Sequence, residues 1–381
     1  MNTAEWEAVR ARIATLGREP DAADIGDALR WCGHVVSDST VLAVSTALHR
    51  DSVGAGPLEP LLRLPGVTDV LVNGPDDVYV DTGEGLRKSA VRFNSDEDVR
   101  RLAVRLAASV GRRLDDASPF VDARMADGTR VHAILGGLAD AGTCLSLRIP
   151  SRSRLSLDDW VASGTCHPEV AHVLRRMVAR KVAFLVSGGT GSGKTTLLAS
   201  LLGLVPSTER ILVVEDSREL SPAHPHCVRL EGRAPNAEGA GAVTMTQLVR
   251  QALRMRPDRI VVGEVRGAEL VDLLIALNTG HEGGCGTVHA NTPESVPARL
   301  GALAALGGLG REAAHSQIAA AVRAVVHVTR EARGRRVSAV AVLGRGPGGL
   351  VEARSALAVT VEGRVRRLEG FAELESILGA T

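Results

Sequence analysis

The chain has 381 residues, of which 45% are hydrophobic and 23% charged, as in globular proteins of roughly two or three domains. Aromatic residues make up only 2% of the chain, so the core is expected to consist of Ala, Val, Leu and Ile. A formal net charge of +1 argues against a strong electrostatic attraction to nucleic acid or anionic lipid.

The cysteines and the apolar runs of the sequence indicate the cellular compartment of the protein. The five cysteines are scattered and none are spaced C-x-x-C, which predicts reduced thiols in the cytosol and no zinc site. The first residues lack the basic and apolar regions of a signal peptide, and no apolar run approaches the ~18 residues of a membrane span. We therefore expect a cytoplasmic protein without a transmembrane segment, able to dock on a membrane complex.

The first region, residues 1–53, is predicted to be helical. Residues 4–17, 22–33 and 38–50 carry apolar side chains at helical spacing. The sequence Gly54-Ala-Gly-Pro57 then interrupts this pattern, which marks the end of the region.

A smaller α+β domain is predicted over residues 54–150. Its helix, 95–110, begins with Ser95 as N-cap and three acidic residues in the first turn, where they favour the helix dipole. The strand-like runs of this domain are 68–72, 78–80, 130–135 and 143–149.

The polar linker Pro150-Ser-Arg-Ser-Arg154 is the best domain boundary, and strands and helices alternate in the region after it, 151–381. The predicted strands are 182–186, 210–214, 259–263 and 285–289, and the predicted helices are 168–180, 193–204, 244–255, 267–278 and 293–304. This alternation implies a mostly parallel sheet with flanking helices. The tail beyond residue 325 has β-like runs and a final helix near 371–379, and we assign it no chemistry.

A glycine-rich loop follows the first of these strands with the spacing Gly188-x-x-x-x-Gly193-Lys194-Thr195, and a Leu/Ala-rich helix follows the loop. A phosphate-binding loop requires this strand–loop–helix context, in which backbone N–H groups and the helix N-terminus bind phosphate oxygens. Lys194 can reach the β- and γ-phosphates and Thr195 can ligate Mg²⁺. The residues predicted to bind a nucleoside triphosphate are Gly188, Gly189, Thr190, Gly191, Ser192, Gly193, Lys194, Thr195 and Thr196. The alternative is a glycine turn that binds nothing.

Acidic residues follow two all-apolar strands of the same region. Glu215 and Asp216 follow one strand, and Glu264 follows the next. Because ligands of open α/β sheets bind at the carboxyl ends of strands, these acids are expected to converge on the loop. A carboxylate there can orient water or hold Mg²⁺, so we predict hydrolysis. The alternative is that these acids are solvated residues of turns and have no role in hydrolysis.

Histidines occur in two further segments. His289 ends a predicted strand, where it either donates a hydrogen bond to a γ-phosphate or has a structural role. The segment His224-Pro-His226-Cys227 superficially suggests metal ligands, but it offers no fourth ligand at proper spacing. A polar turn that enters a strand is the better interpretation.

Taken together, these motifs resemble the secretion "traffic" ATPases of type II and type IV secretion and type IV pili. The segments that begin at Gly188, Glu215, Leu253 and Asn278 are similar to that family's Walker A, Asp box, Walker B and His box. The CpaF/TadA branch, which powers Tad (Flp-type) pilus assembly, is the most similar. Its N-terminal pattern is recognisable around Gly56-Pro and Asp122-Ala-Arg, and the resemblance spans about residues 55 to 330.

The resemblance implies a RecA-like P-loop NTPase domain after the α+β domain, a homohexamer, and inner-membrane platform proteins as partners. It also implies Glu264 as the Walker B acid, Glu215 as the Asp-box acid, and phosphate contacts from N-terminal arginines, for which Arg124, Arg130 and Arg148 are the candidates. Which glutamate polarises water stays open, and Thr195 and Glu264 are the candidate Mg²⁺ ligands.

Gly263 stands where a generic Walker B has Asp, a feature that the family shares, whereas Gly284-Cys-Gly286 replaces the family's Ser-Met-Ser-like segment.

Two alternative functions remain. A DNA-translocating or conjugative hexamer would have the same loop and sheet, although few aromatics and a balanced charge disfavour it. A nucleotide-sensing scaffold would not need Glu215 or Glu264.

Overall fold

The structure is a computed structural model that describes most of the chain. The described residues are 3–16, 20–42, 44–45, 55–83, 85–125, 127–150, 155–233, 235, 240–331 and 334–379. The chain divides into two compact units, Met1–Ser151 and Arg152–Thr381. The separation of the helical region 1–53 from the α+β domain 54–150 stays a prediction.

Helices open the first unit. They are α1 (Thr3–Ala14) and α2 (Ala22–Trp31). Asp21 caps α2, because its carboxylate accepts hydrogen bonds from the N–H groups of Ala23 and Asp24. Of the third predicted helix, 38–42 and 44–45 are helical and 46–50 lie outside the described residues.

A six-stranded antiparallel sheet completes the first unit, with the order β3-β2-β1-β6-β5-β4. The strands are β1 (Asp69–Asn73), β2 (Asp77–Asp81), β3 (Leu86–Lys88), β4 (Phe120–Arg124), β5 (Arg130–Ile134) and β6 (Cys144–Arg148), and the helices are α3 (Glu59–Leu62) and α4 (Asp96–Ser109). Alternate strand side chains such as Val70, Val72 and Leu147 form one core with the apolar face of α4. Burial thus follows the two-residue repeat of a strand and the 3.6-residue repeat of a helix. The α+β prediction is therefore correct, although β3 and β4 were missed.

The second unit contains a nine-stranded mixed sheet, with the order β15-β14-β13-β12-β7-β11-β10-β8-β9. The strands are β7 (Phe184–Gly188), β8 (Ile211–Glu215), β9 (Cys227–Glu231), β10 (Arg259–Val262), β11 (Cys285–His289), β12 (Ala324–Glu331), β13 (Gly334–Arg345), β14 (Val351–Val359) and β15 (Val365–Arg367). Neighbours from β12 to β9 are parallel, and the pairs among β12, β13, β14 and β15 are antiparallel. The strands predicted at 182–186, 210–214, 259–263 and 285–289 are β7, β8, β10 and β11. Strand β12 falls on a predicted β-like run of the tail, and β9 is the strand that the polar turn before Cys227 was expected to enter.

Helices cover both faces of this sheet. They are α5 (Leu157–Ala162), α6 (Pro168–Ala179), α7 (Lys194–Leu202), α8 (Met245–Ala252), α9 (Glu269–Asn278), α10 (Val296–Leu306), α11 (Arg311–Ala321) and α12 (Phe371–Leu378). Phe184 and Val186 of β7 belong to the core with α6 and α7, whereas Ala183 and Leu185 belong to the core with α9 and α10. A strand that is buried on both faces reads as a continuous apolar run, which is why these strands were predictable.

Candidate active site

The phosphate loop lies between the carboxyl end of β7 and the start of α7. Strand β12 lies so close that a Cβ atom on Gly188 would overlap the carbonyl oxygen of Val328. Gly193, the N-cap of α7, has φ +98°, a left-handed conformation that favours glycine. Both glycines are therefore required by the backbone of the loop, and the predicted strand–loop–helix order is present.

Lys194 is buried at the first turn of α7. Its Nζ donates hydrogen bonds to the carbonyl oxygens of Gly188 (3.0 Å) and Gly189 (2.8 Å), so the side chain folds back over the loop. Burial lowers the pKa of Lys194, and the Glu264 carboxylate opposes this shift. The ammonium group is thus held against the loop, near Glu264.

Glu215 ends β8 and is only 2% exposed. Its Oε1 accepts hydrogen bonds from the N–H groups of Glu219 (3.0 Å) and Leu220 (2.9 Å), whereas Oε2 is buried without a hydrogen bond to the described residues. Burial raises the pKa of Glu215 to about 7, although the two N–H donors lower it. A carboxylate with such a pKa can exchange a proton near neutral pH.

The side chain of Glu215 explains why glycine occupies position 263. A Cβ atom on Gly263 would overlap Cγ of Glu215 and come within 2.8 Å of its Oε1. An aspartate at this position, as in a generic Walker B, would therefore displace Glu215. The two sequence segments are interdependent because they share this space.

We expect Gly263→Ala to lower the free energy of unfolding by about 1–3 kcal/mol, because the added methyl group overpacks Glu215. Urea denaturation measures this loss. In the double variant Gly263→Ala/Glu215→Ala the overlap is absent, so its loss should be well below the sum of the two single losses. Strictly additive losses would contradict the packing that we describe, and Gly301→Ala, which makes only ordinary contacts, is the matched control.

A connected cluster of side chains lies at the carboxyl ends of β8, β10 and β11. Its members are Asp216, Glu264, Arg266 and His289. Arg266 makes ion pairs with Glu264 and with Asp216, the latter at 3.1 Å. Nε2 of His289 lies 2.8 Å from Oε1 of Glu264, and no hydrogen bond from the described residues reaches that buried oxygen. Glu264 therefore lies near the loop lysine, as predicted, and Arg266 is an additional member of the cluster, whereas the approach of Glu215 to the loop stays a prediction.

Burial lowers the pKa of His289, and the Lys194 cation lowers it further against the opposing effect of Glu264. The imidazole is therefore largely neutral at pH 7. A neutral imidazole has one N–H donor, which suits a hydrogen bond to an anionic oxygen.

Arg124, Arg130 and Arg148 lie in the sheet of the first unit, on β4, β5 and β6. Arg130 pairs directly with Arg124 on one side and with Arg148 on the other, so the three are cross-strand neighbours in one row. Whether they contact phosphate stays a prediction.

The segment from His224 to Cys227 is a polar turn. Nδ1 of His224 accepts a hydrogen bond from the N–H group of His226 at 3.1 Å, and Cys227 begins β9. In the described ranges, no three His, Cys, Asp or Glu side chains are grouped so that they could hold a metal ion. The better interpretation of this segment, a turn that enters a strand, is thus correct.

Sequence reasoning missed side chains that border the site. Arg266 stood two residues after Glu264 without an assigned role, although it connects two of the candidate acids. Arg335 lies in the tail to which we assigned no chemistry, yet its Nε donates a hydrogen bond to the carbonyl oxygen of Gly191 at 3.2 Å. No local motif indicates this contact, because 144 residues separate the two partners in the sequence.

Comparisons with known proteins identify relatives. Residues 51–363 match the family model described as "Type II/IV secretion system protein". A protein of Mycobacterium tuberculosis H37Rv, named as a candidate conjugal transfer protein, is 56% identical over 321 residues, covering 82% of this chain and 91% of that protein. The type IV secretion system protein VirB11 of Brucella suis biovar 1 (strain 1330) is 30% identical over 317 residues, covering 74% of this chain and 88% of VirB11.

Solved structures are similar at lower identity. The pilus retraction motor PilT with bound ADP has a TM-score of 0.53 at 19% identity and covers 84% of each chain. The Legionella pneumophila ATPase DotB has a TM-score of 0.51 at 18% identity, covering 87% of this chain and 85% of DotB. These likenesses show the predicted RecA-like fold. Within the described residues, no helix is long and apolar enough to cross a membrane.

Proposed function

This chain belongs to the type II/IV secretion system ATPase family, and we propose that it is a hexameric motor that hydrolyses ATP to drive pilus assembly or protein secretion. The observation that carries the proposal is the proximity of Lys194, Glu264 and His289, with Glu215 at the carboxyl end of another parallel strand. Ligands of such sheets bind at the carboxyl ends of the strands.

The phosphate loop would bind the phosphate groups of ATP. Its backbone N–H groups and the positive end of α7 favour an anion. Lys194 would exchange the carbonyl oxygens of Gly188 and Gly189 for β- and γ-phosphate oxygens. The carbonyl contacts keep the ammonium group in place, so little ordering is required on binding.

Magnesium fits the donors of this site. The buried Oε1 of Glu264, 2.8 Å from Nε2 of His289, is a hard oxygen donor, and Thr195 follows Lys194 in the first turn of α7. Mg²⁺ usually takes one or two protein oxygens together with substrate phosphates and water, not an all-protein cage. When bound, the ion would neutralise charge on the phosphates.

Glu215 is the better general base of the two glutamates. Its pKa of about 7 and its Oε2, which accepts no hydrogen bond from the described residues, suit the removal of a proton from an attacking water molecule. Glu264, which is already paired with Arg266, is the proposed metal ligand. The neutral His289 would donate a hydrogen bond to the γ-phosphate. Loss of the phosphate would break this bond and so change the contacts at the end of β11, where His289 lies.

Arg124, Arg130 and Arg148 are the proposed phosphate contacts from the N-terminal unit. Contacts made and lost with the phosphates would move that unit as a rigid body and act on membrane platform proteins. The motor would then be cytoplasmic and peripheral to the membrane through those partners. Among pathways, we propose Tad (Flp-type) pilus assembly of the CpaF/TadA kind, on the strength of the N-terminal motifs.

The test is to restore pilus assembly or secretion in a strain that lacks this gene. The wild-type chain should restore it, the chain with Lys194→Ala should not, and the purified wild-type protein should hydrolyse ATP as a hexamer in sedimentation experiments. Assembly that proceeds with Lys194→Ala would refute the motor function.

Conjugal DNA transfer is the second candidate, favoured by the name of the 56% identical relative. The two candidates differ in their response to single-stranded DNA. A conjugative motor that contacts DNA should show ATPase activity that DNA stimulates many-fold and that falls steeply with salt. A pilus or secretion motor should show neither effect.

A further inference from the structure

The hairpin formed by β12 and β13 extends beyond the sheet next to the phosphate loop. Val328 of β12 pairs with Gly188, the last residue of β7, so the residues from Thr329 to Glu331 continue past the point where the loop begins. Strand β13 returns from Gly334 along the same path. The hairpin end therefore borders the loop.

Two arginines face each other on this hairpin. Arg330 and Arg335 are directly paired across the strands, and both are exposed. Directly opposite residues project from the same face, and like charges at such positions destabilise a hairpin. Glu331 does not compensate, because it pairs with Arg336 at 2.6 Å. Across the described ranges, neither arginine of the pair has a carboxylate partner.

Both side chains lie against the loop. Nη1 of Arg330 is 3.3 Å from the position that a Cβ atom on Gly191 would take, and Cδ of Arg335 is 3.1 Å from the corresponding position on Gly193. Arg335 also donates its Nε hydrogen to the carbonyl oxygen of Gly191. Two cations thus lie beside the N-terminus of α7, whose dipole repels positive charge.

We propose that Arg330 and Arg335 form a cation pair that binds the phosphate chain of the nucleoside triphosphate, in addition to Lys194. An anion between them would offset both unfavourable features, the cross-strand repulsion and the helix dipole. Guanidinium groups are well suited to phosphate oxygens, which they can bind through two parallel hydrogen bonds. The inference rests on the proposed placement of ATP at the loop, and it gives the C-terminal hairpin a role in nucleotide binding.

Arg330 gives the cleaner test, because it makes no hydrogen bond to the loop. Binding of a fluorescent ATP analogue with Mg²⁺ to the full-length protein should be about tenfold weaker in Arg330→Gln, and within about threefold of wild type in Arg330→Lys, which keeps the charge. Arg345→Gln, at the far end of β13, is the matched control and should bind as wild type does. The midpoint of thermal unfolding, measured for each variant, establishes that it is folded.

The outcomes separate this inference from the proposed function. Unchanged affinity in Arg330→Gln, with binding lost in Lys194→Ala, would overturn the cation pair and leave the motor function standing. Equal weakening in Arg330→Gln and Arg330→Lys would also overturn it, because shape and not charge would then matter. If Lys194→Ala binds ATP as wild type does, the placement of ATP at the loop fails together with the inference.

If Arg330→Gln does not fold, Arg335→Lys replaces it. This variant keeps the charge but loses the geometry of the bond to Gly191, so affinity within about threefold of wild type supports a role of the charge. An affinity about tenfold or more below that of wild type would show that Arg335 acts only through its hydrogen bond to Gly191, and would overturn the proposal.

Discussion

Replacing Lys194 by alanine is expected to weaken the binding of Mg·ATP on the order of a hundredfold and to abolish measurable hydrolysis. The lysine is buried next to the loop carbonyls and is the cation that the β- and γ-phosphates would meet. Hydrogen bonds to charged groups are strong, and a buried site that loses its cation would repel the phosphates. Titration calorimetry measures the affinity, and phosphate release measures the rate.

The control for this variant is Lys88→Ala. Lys88 lies on β3 in the first unit, exposed and paired with Asp77, so its loss should leave affinity and rate unchanged. Binding that is equally strong in wild type and Lys194→Ala would mean that the nucleotide binds elsewhere.

Replacing Glu215 by glutamine is expected to lower kcat by about 10²–10⁴-fold while Mg·ATP affinity stays close to that of wild type. Glutamine keeps the side-chain oxygen that can accept from the N–H groups of Glu219 and Leu220 but cannot take a proton from water. Single-turnover hydrolysis separates the chemical step from binding. By contrast, Glu264→Gln should also weaken the binding of Mg·ATP, because it removes a charged metal ligand.

The pH dependence provides the control for this assignment. With a pKa of about 7, Glu215 is protonated below neutral pH and then cannot act as a base, so kcat should fall as the pH is lowered through 7. This acidic limb should be absent in Glu215→Gln. If the limb persists there and disappears in Glu264→Gln, the roles of the two glutamates are reversed.

The sequence predicted the site where local pattern and sheet topology sufficed. The loop from Gly188 to Thr196 has a fixed spacing, and Glu215 and Glu264 each follow an apolar strand. The rule that parallel strands present their carboxyl ends at one edge brought these elements together without any coordinates. What this reasoning established was a meeting point of backbones, and side-chain contacts remained open.

Contacts between distant segments could not be predicted in this way. The overlap of Glu215 with position 263 depends on the packing of β8 against β10, and the bond from Arg335 to Gly191 depends on the register of the C-terminal hairpin. Arg266 had no visible role because an arginine in a motif does not reveal its partners. Such contacts depend on register, to which a single sequence gives little access.

Some elements of the fold were not predicted from the sequence, for related reasons. Strand β3 is exposed along its whole length and therefore shows no alternation of apolar and polar residues. Helix α11 is rich in alanine and buries only Ala314, Ile318 and Ala321, so its apolar face is narrow. Both are held by their neighbours more than by their own pattern, as tertiary context commonly overrides weak propensity.

A crystal structure of the full-length protein with Mg²⁺ and a non-hydrolysable ATP analogue tests the central claim most directly. The account predicts the triphosphate in the loop, with Nζ of Lys194 moved from the carbonyl oxygens of Gly188 and Gly189 to the β- and γ-phosphates, and Oε1 of Glu264 directed at the ion. A triphosphate bound away from the loop, or Lys194 still bound to both carbonyl oxygens beside it, would contradict the account.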